Sequence, residues 1–389
     1  MIEKIFSRLA GRDVLPGEVV KVRPDRVLLN DVLSVGAFET VGSVAEPSKV
    51  TVVVDHGLPV PIVKIPGTGV EVSTHERDLV KFAERFSLRY EFGTSLGYEL
   101  MGREAAPGEL VLGLGRNIAT LGVRGALGLA VTKEAMAALL ESGEAELCVP
   151  EEYRLCLTGK LGKADARDAA LWMRHELDPG LIAGKVLVLC GPALRDMNAG
   201  QRASLLNLAP ELGALSALVS DEAADCEAVL DLSGIKPLVA LPGSLEQIVP
   251  LGALDGAVKL DVGFIGGCGG GHIEQLRRAA EIFRGKRVGY GMRVIVSPVD
   301  RETYYQAMEE GLVDIFLDAG AYFMNPACLG CTGLCAGHLS PGEVCLGTGC
   351  FNATGCMGPA DSRVYLASAE TVAKGCVAGE LSKELEGVA

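Results

Sequence analysis

Two short segments of the sequence carry cysteines in a setting that suits metal or redox chemistry. In the first, Cys268 follows an apolar run and lies among glycines, in Val262-Gly-Phe-Ile-Gly-Gly-Cys268-Gly-Gly-Gly-His272. In the second, Cys328 and Cys331 form a Cys-x-x-Cys pair. Thiolates at this spacing can hold zinc, bind one edge of an iron–sulfur cluster or form a redox-active disulfide. The two segments therefore predict a site for one of these chemistries.

The other cysteines fall into two groups. Of the 12 cysteines in the chain, seven lie between Cys328 and Cys376, which is too uneven a distribution for chance. Five scattered cysteines stand in apolar runs, where we expect a thiol to act as a small buried apolar side chain. These are Cys148, Cys156, Cys190, Cys226 and Cys376.

Alternating strand and helix patterns must position the cysteines. Short, apolar, β-branched runs predict buried strands at Val52–Val54, Lys185–Cys190, Ala217–Val219, Val258–Ile265 and Val313–Leu317. Amphipathic stretches lie between them, one after a capping box of Ser73 and Glu76 and another starting at about His272. This alternation predicts an α/β fold with largely parallel sheets. Cys268 would then lie at the carboxyl end of a strand, where open α/β sheets bind ligands.

The length, charge and hydropathy of the chain narrow the class of protein. A chain of 389 residues favours two or three domains, and softer breaks predict domains at 1–152, 153–255 and 256–389. The net charge of −14 argues against a nucleic-acid partner. No segment approaches the roughly 20 apolar residues that span a bilayer, and the N-terminus lacks a signal-peptide pattern. We therefore expect a cytoplasmic protein, where disulfides are rare and clustered cysteines indicate metal or redox chemistry.

Further segments, collinear from about residue 5 to the C-terminus, resemble one family. They are Ala10-Gly-Arg-Asp13, Pro16-Gly-Glu18, Val22-Arg-Pro-Asp-Arg-Val27, Asp55-His56, Asn207-Leu-Ala-Pro-Glu211-Leu-Gly-Ala214, Ser340-Pro-Gly-Glu-Val-Cys345 and Asp361-Ser-Arg-Val-Tyr-Leu-Ala-Ser368. Together with the cysteine segments they make the chain similar to a diverged, large-subunit-type member of the aconitase and isopropylmalate isomerase superfamily.

The resemblance implies a fold, a cofactor and a partner. The fold would have three α/β domains around a central [4Fe-4S] cluster. Cys268, Cys328 and Cys331 would hold three irons and leave the fourth open to bind a substrate hydroxyl and carboxylate. Asp55, His56 and Glu211 match catalytic positions of the family. Because the family's fourth, swivelling domain is not found in this chain, a separate small-subunit protein is the expected partner.

Several departures from the family pattern alter the expected substrate. Two family arginines that clamp substrate carboxylates correspond here to Phe351 and Cys356, which cannot make charge-assisted bonds. We therefore expect a small hydroxy acid with fewer carboxylates than citrate, and neither citrate nor isopropylmalate. Asn30, Arg116 and His272 are the candidate substrate-binding residues.

Additional cysteines in the same region leave the function open between two classes. Cys335, Cys350 or Cys356 could close the cluster through its fourth iron, form a second metal site or carry sulfur, or simply fill an uncharged pocket. The first hypothesis is an iron–sulfur-dependent hydro-lyase. The alternative is a non-dehydratase iron–sulfur protein, either a sulfur-handling enzyme or a redox or structural module with a fully ligated cluster.

Overall fold

The computed structural model describes residues 1–56, 69–162, 164–222, 224–328 and 337–388, with the backbone alone for 69–75. Three main sheets follow one another along the chain, with five, four and seven strands. Cys331 and Cys335 lie outside the described residues.

The five-stranded sheet is built from the N-terminal part of the chain. Its strands are all parallel, in the order β4-β3-β2-β5-β6, and β1 pairs with β7 in a separate antiparallel ribbon. Every residue of the interior strand β3 is buried, as expected for a parallel strand covered on both faces. The elements are α1 (Ile2–Ala10), β1 (Val19–Val22), β2 (Arg26–Asn30), β3 (Val50–Val54), α2 (Gly69–Arg85), β4 (Arg89–Phe92), α3 (Gly97–Glu104), β5 (Leu110–Gly113), β6 (Leu127–Ala130), α4 (Lys133–Ser142) and β7 (Ala145–Cys148), with 3-10 helices at Pro47–Lys49 and Arg116–Arg124.

The four-stranded sheet comes next and is also entirely parallel. Its order is β10-β9-β8-β11, and Cys156 on β8 lies in register with Cys190 on β9. Its elements are β8 (Glu152–Thr158), α5 (Ala166–Glu176), α6 (Pro179–Ile182), β9 (Val186–Cys190), α7 (Ala199–Leu206), β10 (Ser216–Val219) and β11 (Ala228–Asp231), with 3-10 helices at Pro192–Asp196 and Ala209–Leu212.

The seven-stranded sheet has a parallel centre and an antiparallel edge. Its order is β13-β12-β19-β18-β15-β16-β17, and β12 runs antiparallel to both of its neighbours. A separate antiparallel ribbon joins β14 to β20. The elements are β12 (Leu238–Ala240), β13 (Ile248–Pro250), β14 (Val258–Lys259), β15 (Val262–Gly266), α8 (Gly267–Gly270), α9 (Ile273–Phe283), β16 (Arg293–Ser297), α10 (Arg301–Glu309), α11 (Leu312–Ala319), β17 (Tyr322–Phe323), β18 (Val344–Gly347), β19 (Arg363–Leu366), α12 (Ala369–Ala378) and β20 (Glu380–Leu381), with 3-10 helices at Leu251–Ala253 and Lys383–Gly387.

The predicted α/β class with mostly parallel sheets is confirmed. Among the described residues, no helix combines the length and the apolar character that crossing a bilayer requires. The strands β12 and β13 precede residue 255 and yet join the seven-stranded sheet. The division into domains at 1–152, 153–255 and 256–389 stays a prediction.

One predicted strand is wrong, because Val313–Leu317 lies inside the helix α11. Gly311 and Gly320 flank this helix in the left-handed conformation, which glycine adopts without steric cost. Within it, Leu312, Phe316 and Ala319 are buried at helical spacing, while the two aspartates between them are exposed. A short apolar run cannot by itself distinguish a strand from a helix.

Two smaller predictions also fail. The helix predicted to begin after Ser73 starts four residues earlier, at Gly69. Cys148 is exposed rather than buried, because it ends the edge ribbon strand β7. The predicted helix start at His272 is confirmed, since His272 is the N-cap residue of α9.

Candidate active site

Asp55 and His56 follow directly after the buried strand β3, at its carboxyl end. The Asp55 carboxylate accepts hydrogen bonds from Asn30 Nδ2 at 3.0 Å on each oxygen and from the backbone N–H of Gly97 at 2.7 Å. His56 Nδ1 lies 2.6 Å from Asp55 Oδ1. All these polar side chains are buried. The network therefore fixes the carboxylate, which in turn orients the imidazole.

A second carboxylate, that of Asp31, supports His56 from the neighbouring strand. Its oxygens accept the His56 backbone N–H at 3.1 Å, and Oδ1 lies 3.2 Å from His56 Nδ1. Burial alone lowers the pKa of His56. The charges of Asp55 and the Cys328 sulfur, with the hydrogen bonds to both aspartates, outweigh burial and raise this pKa well above its usual value. These contacts favour the protonated form of the His56 imidazole.

The two cysteine segments approach each other and the Asp55–His56 pair. The backbone N–H of Cys328 donates to the carbonyl oxygen of Asp55 at 2.7 Å. Cys268 and Cys328 also belong to one small cluster of packed side chains, together with Leu96, Val299, Cys350 and Phe351. The predicted acid–base pair and two predicted metal ligands therefore lie close together, at segments that follow strands of the five- and seven-stranded sheets.

The glycines around Cys268 bring backbone unusually close to the neighbouring strand. A Cβ added at Gly270 would clash with the Thr348 side chain, and one added at Gly269 would clash with the Thr348 carbonyl oxygen. The Thr348 hydroxyl in turn bonds the backbone of Gly266, accepting from its N–H at 2.9 Å. Only glycine fits at these positions. The close packing against Thr348, which directly follows β18, therefore determines the path of the loop that carries Cys268.

Asn207 supplies a polar contact to the Cys268 sulfur. Its Nδ2 donates to Cys268 Sγ at 3.0 Å and lies 3.2 Å from Thr120 Oγ1. Its Oδ1 accepts from Arg167 Nη1 at 3.3 Å, and Arg167 Nη2 also donates to the Gly349 carbonyl. The buried guanidinium thus sets the orientation of the amide, with its N–H groups directed toward the sulfur.

Glu211 and Arg116 form an ion pair at the end of the same segment. Glu211 lies in the 3-10 helix Ala209–Leu212, four residues after Asn207, and its Oε1 accepts from Arg116 Nη2 at 3.0 Å. Arg116 begins a 3-10 helix and its side chain is 63% exposed. From the sequence, Glu211 was a candidate catalytic residue and Arg116 a candidate substrate-binding residue. In the structure the two side chains are in contact.

His272 lies beside the Cys268 loop but is engaged by protein groups. Its Nε2 is 3.0 Å from Glu99 Oε1, and its Nδ1 is 3.3 Å from Gln275 Oε1. Burial lowers the pKa of His272, but the Glu99 charge, the hydrogen bonds to Glu99 and Gln275 and the charge of Asp300 together outweigh burial, and the pKa rises to about 9. His272 at the start of α9 and Glu99 on α3 therefore form a largely buried ion pair.

Sequence reasoning missed three residues that shape this site: Asp31, Asn207 and Arg167. Asn207 begins a segment that was recognised only for its glutamate, and Asp31 directly follows the candidate Asn30. For Arg167 no local signal exists, because its contacts to residues 207 and 349 depend on the packing of α5 against distant loops. Asn30 itself is fully buried behind Asp55, and its side-chain amide nitrogen donates to both oxygens of that carboxylate.

Known proteins resemble this chain over nearly its whole length. The model of the aconitase family (aconitate hydratase) matches residues 3–227 and 220–379. The 3-isopropylmalate dehydratase large subunit 1 of Methanopyrus kandleri is 30% identical, over 98% of each chain. The homoaconitase large subunit of Thermus thermophilus is 31% identical, over 99% of this chain and 98% of that one. The structure of aconitase X from Thermococcus kodakaraensis (holo-form) superposes with a TM-score of 0.53 and 10% identity, over 89% and 86% of the two chains, and supports the fold alone.

Proposed function

The chain belongs to the aconitase family, and from this premise we propose that it is the large subunit of an iron–sulfur-dependent hydro-lyase acting on a small hydroxy acid. The observation that carries the proposal is the hydrogen bond from Cys328 N–H to the Asp55 carbonyl. It joins a predicted cluster ligand to the predicted acid–base pair, as a metal-assisted dehydration requires.

The described residues fit a [4Fe-4S] cluster. Cys268 and Cys328 lie in one packed group, the glycines beside Cys268 leave no side chain in the loop, and Asn207 donates to the Cys268 sulfur. Such N–H···S contacts are the usual surroundings of cluster thiolates. Cys331 would be the third ligand. When bound, the cluster would supply a Lewis-acidic iron to the hydroxyl and carboxylate of the substrate.

The chain's own residues would handle the proton. His56, whose pKa is raised, would protonate the departing hydroxyl, and Asp55 and Asp31 would stabilise its charge. Glu211 would remove the proton from carbon, since it is a carboxylate held by Arg116 in the segment that also carries Asn207. Asn30 would act as a positioning residue that keeps Asp55 in place.

Substrate binding would rest on fewer cations than in a tricarboxylate site. The partly exposed guanidinium of Arg116 is the candidate partner for a substrate carboxylate. His272 would add a second positive charge near the Cys268 loop, although Glu99 neutralises it. Phe351, at one of the positions where the family carries a clamping arginine, packs beside the cysteines. These contacts favour a hydroxy acid with fewer carboxylates than citrate.

A small-subunit partner completes the proposal. Both relatives named above are large subunits. Each alignment covers nearly all of this chain and nearly all of the relative. A large subunit of this kind would need a second protein to cover the substrate. Localisation in the cytoplasm accords with this metabolic role.

Electron paramagnetic resonance on anaerobically purified protein, with iron and sulfide counted on the same sample, tests the proposal. Mild oxidation should give a [3Fe-4S] signal that disappears when ferrous iron is restored. A panel of hydroxy acids, assayed with the partner present, should then identify a substrate. Glu211→Gln should lower turnover by about 100-fold or more, whereas Glu246→Gln at an exposed loop position should not.

A second candidate function is favoured by Cys350, which packs in the same group as Cys268 and Cys328. A fourth thiolate at this place would close the cluster and give a redox or structural module. In that case oxidation would leave the iron count unchanged, and Cys350→Ser would make one iron labile. That result would contradict the hydro-lyase proposal.

A further inference from the structure

Three cysteines that the sequence scatters over 71 positions meet on the four-stranded sheet. Cys156 lies on β8, directly opposite Cys190 at the end of β9. Because these parallel strands are in register, both side chains project from the same face of the sheet. Cys226 comes from the loop between β10 and β11, two residues before β11 begins. The proximity of the three cysteines therefore depends on both the pairing of β8 with β9 and the path of this loop.

The distances between the sulfurs suit one cation. The three Sγ atoms all lie within 4.8 Å of one another, and Cys190 Sγ is 3.2 Å from Cys226 Sγ. Thiolates bound to one zinc at about 2.3 Å lie roughly 3.8 Å apart in tetrahedral geometry. The observed range brackets this value, so binding needs side-chain adjustments of less than about 1 Å.

The surroundings of the thiols are partly closed and contain a positive charge. Arg154 precedes Cys156 by two residues on the same strand face, and it is only 6% exposed. Its guanidinium bonds the Glu222 carbonyl at 3.1 Å and Glu152 Oε2 at 3.2 Å. Its Nε has no hydrogen-bond partner among the described residues. A buried N–H of this kind is costly unless negative charge lies nearby, and three thiolates would supply it.

The described residues between β10 and β11 (220–222 and 224–227) contact this face of the sheet. The backbone N–H of Arg154 donates to Glu227 Oε2 at 2.6 Å, and Glu222 pairs with Lys4 at the N-terminus. Cys226, next to Glu227, is thereby held over the two strand cysteines. The three thiols thus share one fixed, partly solvent-accessible position, with Cys190 the most buried.

We propose that Cys156, Cys190 and Cys226 form a second metal site, which binds one thiophilic d10 cation, Zn²⁺ or Cu⁺, through three thiolates. Soft thiolate ligands without carboxylate or imidazole favour these two ions. No other described His, Cys, Asp or Glu joins the group within the same 4.8 Å limit, so a fourth position would hold solvent or an exogenous ligand. On binding, the thiols would lose their protons to solvent.

The site is separate from the candidate active site. The Cys190 and Cys226 thiols contact each other and the carbonyl oxygens of Leu155 and Ala224, and the three cysteines belong to the four-stranded sheet and its loop rather than to the five- and seven-stranded sheets. The proposal therefore does not depend on the hydro-lyase function. A cation here would join β8 and β9 to the segment that carries Cys226, and it would stabilise that segment.

Metal analysis of the full-length, cluster-containing protein tests the proposal. The protein is reduced with a phosphine, dialysed anaerobically against chelator-buffered Zn²⁺ or, separately, Cu⁺, and analysed for zinc, copper and iron. We expect about one Zn²⁺ or Cu⁺ per chain beyond the iron, and X-ray absorption at the zinc or copper edge should show three sulfur neighbours at about 2.3 Å. Whichever ion competes better against the chelator identifies the native cation class.

Two variants and a control make the result specific. Cys226→Ser changes a half-buried loop residue and should reduce the bound cation at least about fivefold without loss of fold, as checked by circular dichroism. Cys148→Ser, at an exposed cysteine outside the group, should bind like the wild type. Cys268→Ser should lose iron but keep the additional cation.

Three outcomes would overturn the proposal. In the first, the reduced wild-type protein takes up neither cation. In the second, Cys226→Ser binds as much as the wild type. In the third, mass spectrometry finds that a Cys190–Cys226 disulfide re-forms after reduction and excludes the cation.

Discussion

The carboxylate of Asp55 shows how much of this site depends on single side chains. It accepts from a buried amide, a backbone N–H and an imidazole, and all three donors lie within 3.0 Å. The sequence identified Asp55 and His56 as a pair. It could not identify Gly97 as a donor, because that contact requires α3 to begin directly over the end of β3.

The buried pair of His272 and Glu99 gives a prediction for pH. The pKa of His272 rises from 6.5 to about 9 on folding, so its stabilisation is complete below pH 6.5 and is lost as the pH rises through 9. Urea-unfolding midpoints of the holo protein should fall over this range, by up to about 3 kcal/mol in unfolding free energy. Glu99→Gln should flatten the dependence.

The matched control for this prediction is Glu3→Gln, which removes an equal charge from the exposed face of α1. It should leave the pH dependence of the wild type unchanged. Equal slopes for wild type and Glu99→Gln between pH 6 and 9.5 would show that the pair is not the cause.

At the scale of elements, the prediction of strands was more successful where burial was complete. The runs at 52–54, 185–190 and 217–219 coincide with β3, β9 and β10, apart from Lys185, and every residue of these strands is buried, as in parallel strands covered on both faces. The run at 313–317 is also mostly apolar but lies in α11, because flanking glycines and aspartates at helical spacing set its structure. Capping and periodicity over a wider window would have separated the two cases.

The turn from β15 to α8 is the element on which the Cys268 loop depends. Gly270→Ala would drive a methyl group into the Thr348 side chain and displace the loop. We expect a destabilisation of about 1–3 kcal/mol and a substoichiometric iron content. Iron analysis and thermal unfolding measure the two effects.

Gly387→Ala is the matched control for this change, since a Cβ there meets no atom within 4 Å. It should keep both iron content and stability. If Gly270→Ala retained full iron, the close approach of the loop to β18 would have no bearing on cluster binding.

At the scale of the whole molecule, the candidate site is assembled from sequence-distant segments of three sheets. Asp55 follows β3, Asn207 follows α7, and Cys268 follows β15. Most residues of the candidate site could be predicted from the sequence, because each belongs to a short motif of chemically distinctive residue types. It could not predict Arg167 or the three-cysteine group, because these depend on the relative placement of elements far apart in the chain.

This assembly predicts that the cluster contributes to the stability of the fold. A ligand that binds only the folded chain raises the unfolding temperature. Removing iron by anaerobic chelation should lower the unfolding midpoint by on the order of 5 °C, as measured by scanning calorimetry. Cys268→Ser should show a low midpoint before chelation and no further shift after it. A midpoint independent of iron would mean that the three sheets pack without help from the cluster.

The hydrogen bond between Cys328 N–H and the Asp55 carbonyl also has a consequence for how such a protein can diverge. The bond couples two stretches of chain more than 270 positions apart through main-chain atoms alone. The bond itself does not depend on which side chains the two stretches carry, whereas an insertion or deletion on one stretch would have to be matched by a compensating change on the other. Among descendants of this sequence, the lengths of these two segments should be inherited together even where their side chains are not.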